Sequence, residues 1–243
     1  MDFAPIIIIA AIFIVAVMYS SVGHGGASGY LAVMAFLAVA PEVTRPTALV
    51  LNLFVASIGA YQFWRAGFFS WRILWPFAVA SIPFAFIGGM IVLPTTIYKA
   101  VLGVVLILAA ARLAWKFASD AAIKQPNIAI CLTIGAVIGL LSGLVGVGGG
   151  IFLTPVLLLM NWSETKKAAG VSAMFILVNS ISGLAGNYAQ VAVLQLNVWI
   201  WIATAIAGGL LGSTLGAKKF DSLMLRRVLA VVLLFAGVKL IFV

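Results

Sequence analysis

Apolar residues run along this chain in eight blocks, approximately 3–40, 47–64, 73–93, 97–115, 126–161, 168–188, 197–217 and 222–243. Six of them hold 18 to 22 residues, matching the ~20 that a helix needs to cross ~30 Å of hydrocarbon. The other two, 3–40 and 126–161, are 38 and 36 residues long. As straight helices they would reach about 55 Å at a rise of ~1.5 Å per residue, so each must fold back or cross twice. Glycine clusters interrupt both: Ser21-Val22-Gly23-His24-Gly25-Gly26 in the first, Gly143-Leu144-Val145-Gly146-Val147-Gly148-Gly149-Gly150 in the second. Gly23, Gly25 and Gly26 recur as Gly146, Gly148 and Gly149 at an offset of 123. Each glycine in a helix costs about 1 kcal/mol against alanine. In lipid, the backbone groups so freed are tolerated only inside protein or along a polar cavity. Paired breaks in corresponding halves point to a transporter's binding site.

The duplication extends beyond the glycines. At an offset of 127, Asn52, Gly59 and Tyr61 recur as Asn179, Gly186 and Tyr188, and a run of Val, Leu and Ala from Val101 to Leu113 recurs from Val228 to Leu240. The pattern predicts an all-α polytopic membrane bundle of two repeats, 1–118 and 124–243. Each is a glycine-broken hairpin (3–40, 126–161) followed by three helices (47–64, 73–93, 97–115; 168–188, 197–217, 222–243).

Charge gives the orientation. If each broken block is a re-entrant hairpin, each half crosses three times and the second half is inverted. Arg65, Arg72, Arg112, Lys116, Lys124, Lys166, Lys167, Lys218, Lys219, Arg226 and Arg227 then share one side, leaving Arg45, Lys99 and Lys239 on the other, a split of 11 to 3. Counting each broken block as a single crossing gives 8 to 6. The bias of basic residues toward the cytoplasm selects the first arrangement, with both termini outside it. Two full crossings per block have the same parity. The short piece from Tyr30 to Ala40 favours the hairpin, because it cannot span.

Composition agrees with a polytopic membrane protein, expected in the plasma membrane: 65% of residues are hydrophobic and 8% charged, and mean hydropathy is +1.28. A soluble domain of this size could not hide that much apolar surface. The net charge of +9 is spread singly and in pairs between apolar blocks, so it sets topology and predicts no nucleic-acid partner. Cys131 is the single cysteine, which excludes an internal disulfide and suits a small packing residue. No cofactor and no metal is expected. An enzyme is not expected either, since the chain lacks HExxH, GxSxG, a thiol–histidine pair and a phosphate-binding loop.

Each glycine loop leads into a short helix, predicted at Gly29–Ala40 and Ile151–Asn161. The first amides of a helix lack intrahelical partners and carry about half a positive charge, and glycines let an anion approach them. Two such ends meeting near mid-membrane, with no buried arginine, would make a site for a small anion. The candidate binding residues are Ser21, Gly23, His24, Gly25, Gly26, Asn52, Gly146, Gly148, Gly149, Gly150 and Asn179. Asn52 and Asn179 lie about one turn into the following helices and either orient the ligand or bond between helices. His24 is the only histidine and either couples a proton to transport or satisfies a nearby carbonyl. Gly88, Gly89, Gly208, Gly209 and Gly212 read as helix-packing positions, and Tyr61 and Tyr188 as interfacial aromatics. Pro155 is expected in the first turn of its half-helix. Glu42 and Glu164 are expected to cap the next helices or to pair with Arg45 and Lys167.

With Gly146-Val147-Gly148-Gly149-Gly150 followed by Pro155, its degenerate copy at Gly23–Gly26 and the link Glu164-Thr165-Lys166-Lys167, the chain resembles the sulfite exporter TauE/SafE family. The resemblance spans the whole chain. It implies transport of a small sulfur-containing anion, sulfite or an organosulfonate such as sulfoacetate, coupled to protons, by repeats that rock about a mid-membrane site. An anion channel lined by the same donors is the alternative. The sequence leaves the oligomeric state open.

Overall fold

The computed structural model describes residues 4–114, 123–191, 197–218 and 223–242. Among them there are helices and turns but no strand. The first broken block folds as α1 (Ala4–Ser21) and α2 (Ala27–Phe36), followed by α3 (Pro41–Arg65), α4 (Trp71–Met90) and α5 (Thr95–Ala114). The second folds as α6 (Ile128–Val145) and α7 (Gly150–Leu159), then α8 (Thr165–Gly186), a short α9 (Tyr188–Val191), α10 (Asn197–Lys218) and α11 (Leu223–Phe242). Within α3, α4, α6, α8 and α10, five stretches are long and apolar enough to cross a membrane. Val79, Ile87, Leu108, Val137 and Leu210 stand exposed on outer faces, as a lipid-facing surface allows. The chain is a multi-pass helical membrane protein.

Several boundaries differ from the expected ones, most of all in α2, α3 and α7. α3 starts at Pro41, not at 47: Pro41 sits at the first position, where no amide is needed, and the helix runs on through Pro46, its sixth residue. α2 and α7 start at Ala27 and Gly150 and end at Phe36 and Leu159, earlier than Ala40 and Asn161. Both are closed by a residue of positive φ, Ala38 (54°) and Asn161 (52°), again 123 positions apart. Pro155 is not in the first turn: it is the sixth residue of α7, where its missing N–H leaves the Ile151 carbonyl without the usual i+4 donor.

Each broken block is a pair of antiparallel helices. In the first, the Ser28 hydroxyl donates to Tyr19 Oη at 3.0 Å, and Gly29 lies against Val15. In the second, the Lys124 amide donates to the Asn161 carbonyl at 2.7 Å, so the approach to α6 and the exit from α7 meet.

Glycine seams set the remaining packing. Gly135, Gly139 and Gly143 of α6 lie against the backbone of Phe77, Ser81 and Ala85 of α4, so these helices run parallel. Gly208, Gly212 and Gly216 of α10 lie in the same manner along Phe13, Val17 and Ser21 of α1. Glycine every fourth position gives a smooth stripe on one face and permits backbone-to-backbone approach. α3 and α8 run antiparallel, with Gly59 near Ala173 and Gly183 near Leu49. α5 and α11 cross where Gly103 meets Gly237.

Candidate functional site

Left-handed glycines end one helix and start the next in both loops. Gly23 (φ 75°) closes α1: its amide donates to Ser20 and that of His24 to Tyr19, a Schellman termination. Gly146 (φ 87°) closes α6 by the simpler left-handed cap, its amide donating to the Ser142 carbonyl four residues back. Gly26 (φ 96°) and Gly149 (φ 79°) then occupy the caps that open α2 and α7. The amides of Gly25, Gly26, Gly148, Gly149 and Gly150 lie ahead of the first turn of bonds in these helices, which begins with Tyr30 N–H to Gly26 and Phe152 N–H to Gly149.

The two loops converge on the same side chains. A Cβ on Gly25 would strike Asn52 and Ile176, and one on Gly148 would strike Asn52, Ile176 and Ser180. Gly150 packs against Ile176. Asn52 lies on the fourth turn of α3, not about one turn in, because the helix starts at Pro41; it is fully buried and joins the halves. Its Oδ1 accepts from the Ala27 amide at 3.0 Å, and its Nδ2 donates to the Val147 carbonyl at 3.2 Å. One amide side chain therefore binds the start of α2 and the middle of the opposite loop.

Asn179 does not mirror this. It is as deeply buried, but its Nδ2 donates to Phe175 of its own helix at 2.8 Å, and its Oδ1 has no partner. Four buried hydroxyls among the described residues also lack partners: Tyr30, Thr47, Ser142 and Ser180. Tyr30 stands beside Gly26, and Ser180 beside Gly148. A buried polar group without a bond costs about 1–3 kcal/mol, and such orphans call for a ligand or water at the loops.

His24 reaches across the halves. Its Nδ1 lies 3.0 Å from the Val22 carbonyl, which can only accept, so Nδ1 carries a proton. Its Nε2 lies 3.3 Å from Thr154 Oγ1. Thr154 is also within bonding distance of Ser172 Oγ (2.8 Å) and the Gly150 carbonyl (3.1 Å). With a neutral ring the Thr154 hydroxyl can give its proton to Nε2. With a protonated ring it must accept there and turn its proton toward Gly150 or Ser172. The protonation state of His24 is thus linked by hydrogen bonds to the start of α7.

The remaining candidates have other neighbours. The Ser21 hydroxyl donates to Met18 at 2.7 Å. Gly23 abuts Ala169, Gly146 abuts Arg45, and Gly149 faces Ile138 and Phe175. The expectation of no buried arginine is overturned by Arg45, which is 3% exposed. Its guanidinium donates to Ile91, Gly88 and Gly89 at 2.9, 2.7 and 2.6 Å. It closes the C-terminal end of α4, where carbonyls lack partners and the helix dipole is negative, instead of pairing with Glu42. Glu164 holds the cap position of α8, but its side chain makes no capping bond.

Sequence reading passed over Ile176, Ser180 and Ser172 as site residues. With Asn179 they fall at 172, 176, 179 and 180, one face of a helix at 3.6-residue spacing, and that polar stripe was the available signal. Among the described residues, no group of three or more His, Cys, Asp or Glu side chains could hold a metal.

Residues 8–240 match the family described as Sulfite exporter TauE/SafE. The chain belongs to this family of membrane transporters. It is 38% identical to the "Probable membrane transporter protein y4hK" of Sinorhizobium fredii, over 99% of this chain and 100% of the relative. It is 27% identical to the "Probable membrane transporter protein YjnA" of Bacillus subtilis, over 90% of this chain and 92% of the relative. No solved structure matches the TauE/SafE chain significantly.

Proposed function

We propose that this TauE/SafE protein is a plasma-membrane secondary transporter of a small sulfur oxyanion, sulfite or an organosulfonate, coupled to protons through His24. Two inverted repeats, 1–118 and 124–243, carry re-entrant hairpins and alternate access to a site between their glycine loops. The observation that supports the site is the meeting of Gly25 and Gly148 at Asn52 and Ile176, each loop opening a helix by its positive end. Amides of Gly25, Gly26, Gly148, Gly149 and Gly150, with the Tyr30 and Ser180 hydroxyls, supply donors for oxyanion oxygens without a fixed cation. Binding by such donors is tight enough to capture the anion and weak enough to release it.

The inverted arrangement is supported by helix directions. The repeat-related α3 and α8 run antiparallel, as an axis in the membrane plane requires, while α4 lies along α6 as α10 lies along α1. Burial of both loops, from Gly23 to Gly29 and from Gly146 to Gly150, favours a gated carrier over an open anion pore.

Uptake of radiolabelled sulfite and sulfoacetate into proteoliposomes, with and without a pH gradient, tests the reading. Saturable uptake driven by the gradient is expected. Gly148→Leu, whose side chain would occupy the space between Asn52, Ile176 and Ser180, should reduce it to background while the protein stays in the membrane. Uptake retained by Gly148→Leu would remove the loop from the site.

A further inference from the structure

Away from the glycine loops, a pocket of about 150 Å³ opens where the end of α2 and the 38–40 turn meet the start of α5 and the end of α11. Thr44, Tyr98, Lys99 and Lys239 line it. Lys239 Nζ donates to the Phe36 carbonyl at 2.9 Å and lies over the Phe36 ring, which leaves two of its three N–H groups for another acceptor. Lys99 makes no hydrogen bond or ion pair among the described residues. The nearest carboxylate along α3, Glu42, is exposed and does not line the pocket. A space of this size holds a small oxyanion with a few waters.

Two further observations join this pocket to transport. Tyr98, which forms part of its wall, donates its hydroxyl to the Val145 carbonyl at 3.3 Å, the residue directly before Gly146. Thr44 precedes Arg45, whose backbone packs on Gly146. The pocket is therefore separated from the second glycine loop by the Tyr98 ring and the first turn of α3. Charge adds the second argument. Of the 14 basic residues, the inverted topology leaves Arg45, Lys99 and Lys239 on the extracytoplasmic side. Arg45 is occupied by α4, and the other two face one pocket. Lysines on a partly enclosed wall focus their field and raise the local concentration of anions.

We propose that this pocket is an extracytoplasmic vestibule, a second anion subsite in which Lys99 and Lys239 hold a small oxyanion on its way past Tyr98 to or from the glycine loops. The proposal rests on the transport reading above and on its topology. The test uses right-side-out and inside-out membrane vesicles, with radiolabelled sulfite and sulfoacetate as probes. Lys99→Gln together with Lys239→Gln should raise KM from the extracytoplasmic face by about tenfold, with Vmax from that face changed by less than about twofold, and should flatten the salt dependence of uptake. Vmax from the cytoplasmic face should be lowered in proportion, since a substitution cannot shift the equilibrium between the two directions. KM from the cytoplasmic face should not move, which also shows that the variant folds. Lys99→Arg with Lys239→Arg should restore the extracytoplasmic KM. An unchanged extracytoplasmic KM, or an equal rise from both faces, would overturn the vestibule alone. A wild-type protein that moves neither probe would overturn the transport reading, and the vestibule with it.

Discussion

Asn52 holds both halves of the site through one planar amide, and its orientation is fixed because the Ala27 N–H can only donate and the Val147 carbonyl can only accept. Asn52→Asp keeps the acceptor for Ala27 and the side-chain volume, but sets a carboxylate against the Val147 carbonyl and a negative charge where the anion is proposed to bind. Expected are normal membrane levels, a melting temperature lowered by the loss of about 1–3 kcal/mol, and no measurable sulfite binding by scintillation proximity. Tight binding by this variant would move the ligand elsewhere. His24 allows a separate test, because its bond to Thr154 is the proposed proton link. His24→Phe should abolish accumulation driven by a pH gradient while exchange of labelled for unlabelled sulfite persists; loss of both would make His24 a structural residue. The loops and Asn52 were readable in the sequence because duplication marked them. Asn179 matched Asn52 equally well there, yet it bonds to its own helix. Arg45 was opaque, since its partners are carbonyls on α4, more than 40 residues away, and no local pattern specifies them.

At the scale of helices, the glycine seams decide what can change. Gly139 of α6 meets the Ser81 backbone, and Gly59 of α3 meets only Ala173 Cβ at 3.7 Å. A methyl at Gly139 must push two backbones apart, which costs about 1–3 kcal/mol or more in a packed interior. At Gly59 it finds ordinary contact distance and gains up to about 1 kcal/mol of helix propensity. Thermal melting in detergent should therefore show Gly139→Ala clearly less stable and Gly59→Ala equal to or more stable than wild type. The reverse order would contradict the α4–α6 seam. Apolar block length and glycine placement made most of these helices legible. Their ends were less so: α3 gained its first turns from prolines that usually signal a stop, and α2 and α7 closed at left-handed residues, Ala38 and Asn161, that nothing in hydropathy distinguishes. Lys116 and Lys219, counted in the charge argument, lie outside the described residues.

For the molecule as a whole, orientation in the bilayer is the claim on which the carrier reading and the vestibule both depend. The Lys124 amide bonds to Asn161, so the two ends of the second hairpin lie together, and Lys166 at the start of α8 follows closely in sequence. Lys99 and Lys239 share the pocket at the opposite ends of the helices, beside the start of α3. In the proposed topology α5 crosses the bundle once between Lys99 and Lys124, which would place the two clusters in different compartments. In that topology the cytoplasmic preference of basic residues would put the Lys124 and Lys166 cluster inside. An impermeant amine reagent applied to right-side-out vesicles should then modify Lys99 and spare Lys124 and Lys166, and inside-out vesicles should give the opposite pattern by peptide mass mapping. Modification of Lys124 from outside would invert the assignment of both faces. Modification of Lys99 and Lys124 from the same side would do more: it would place an even number of crossings between them and end the inverted-repeat arrangement itself.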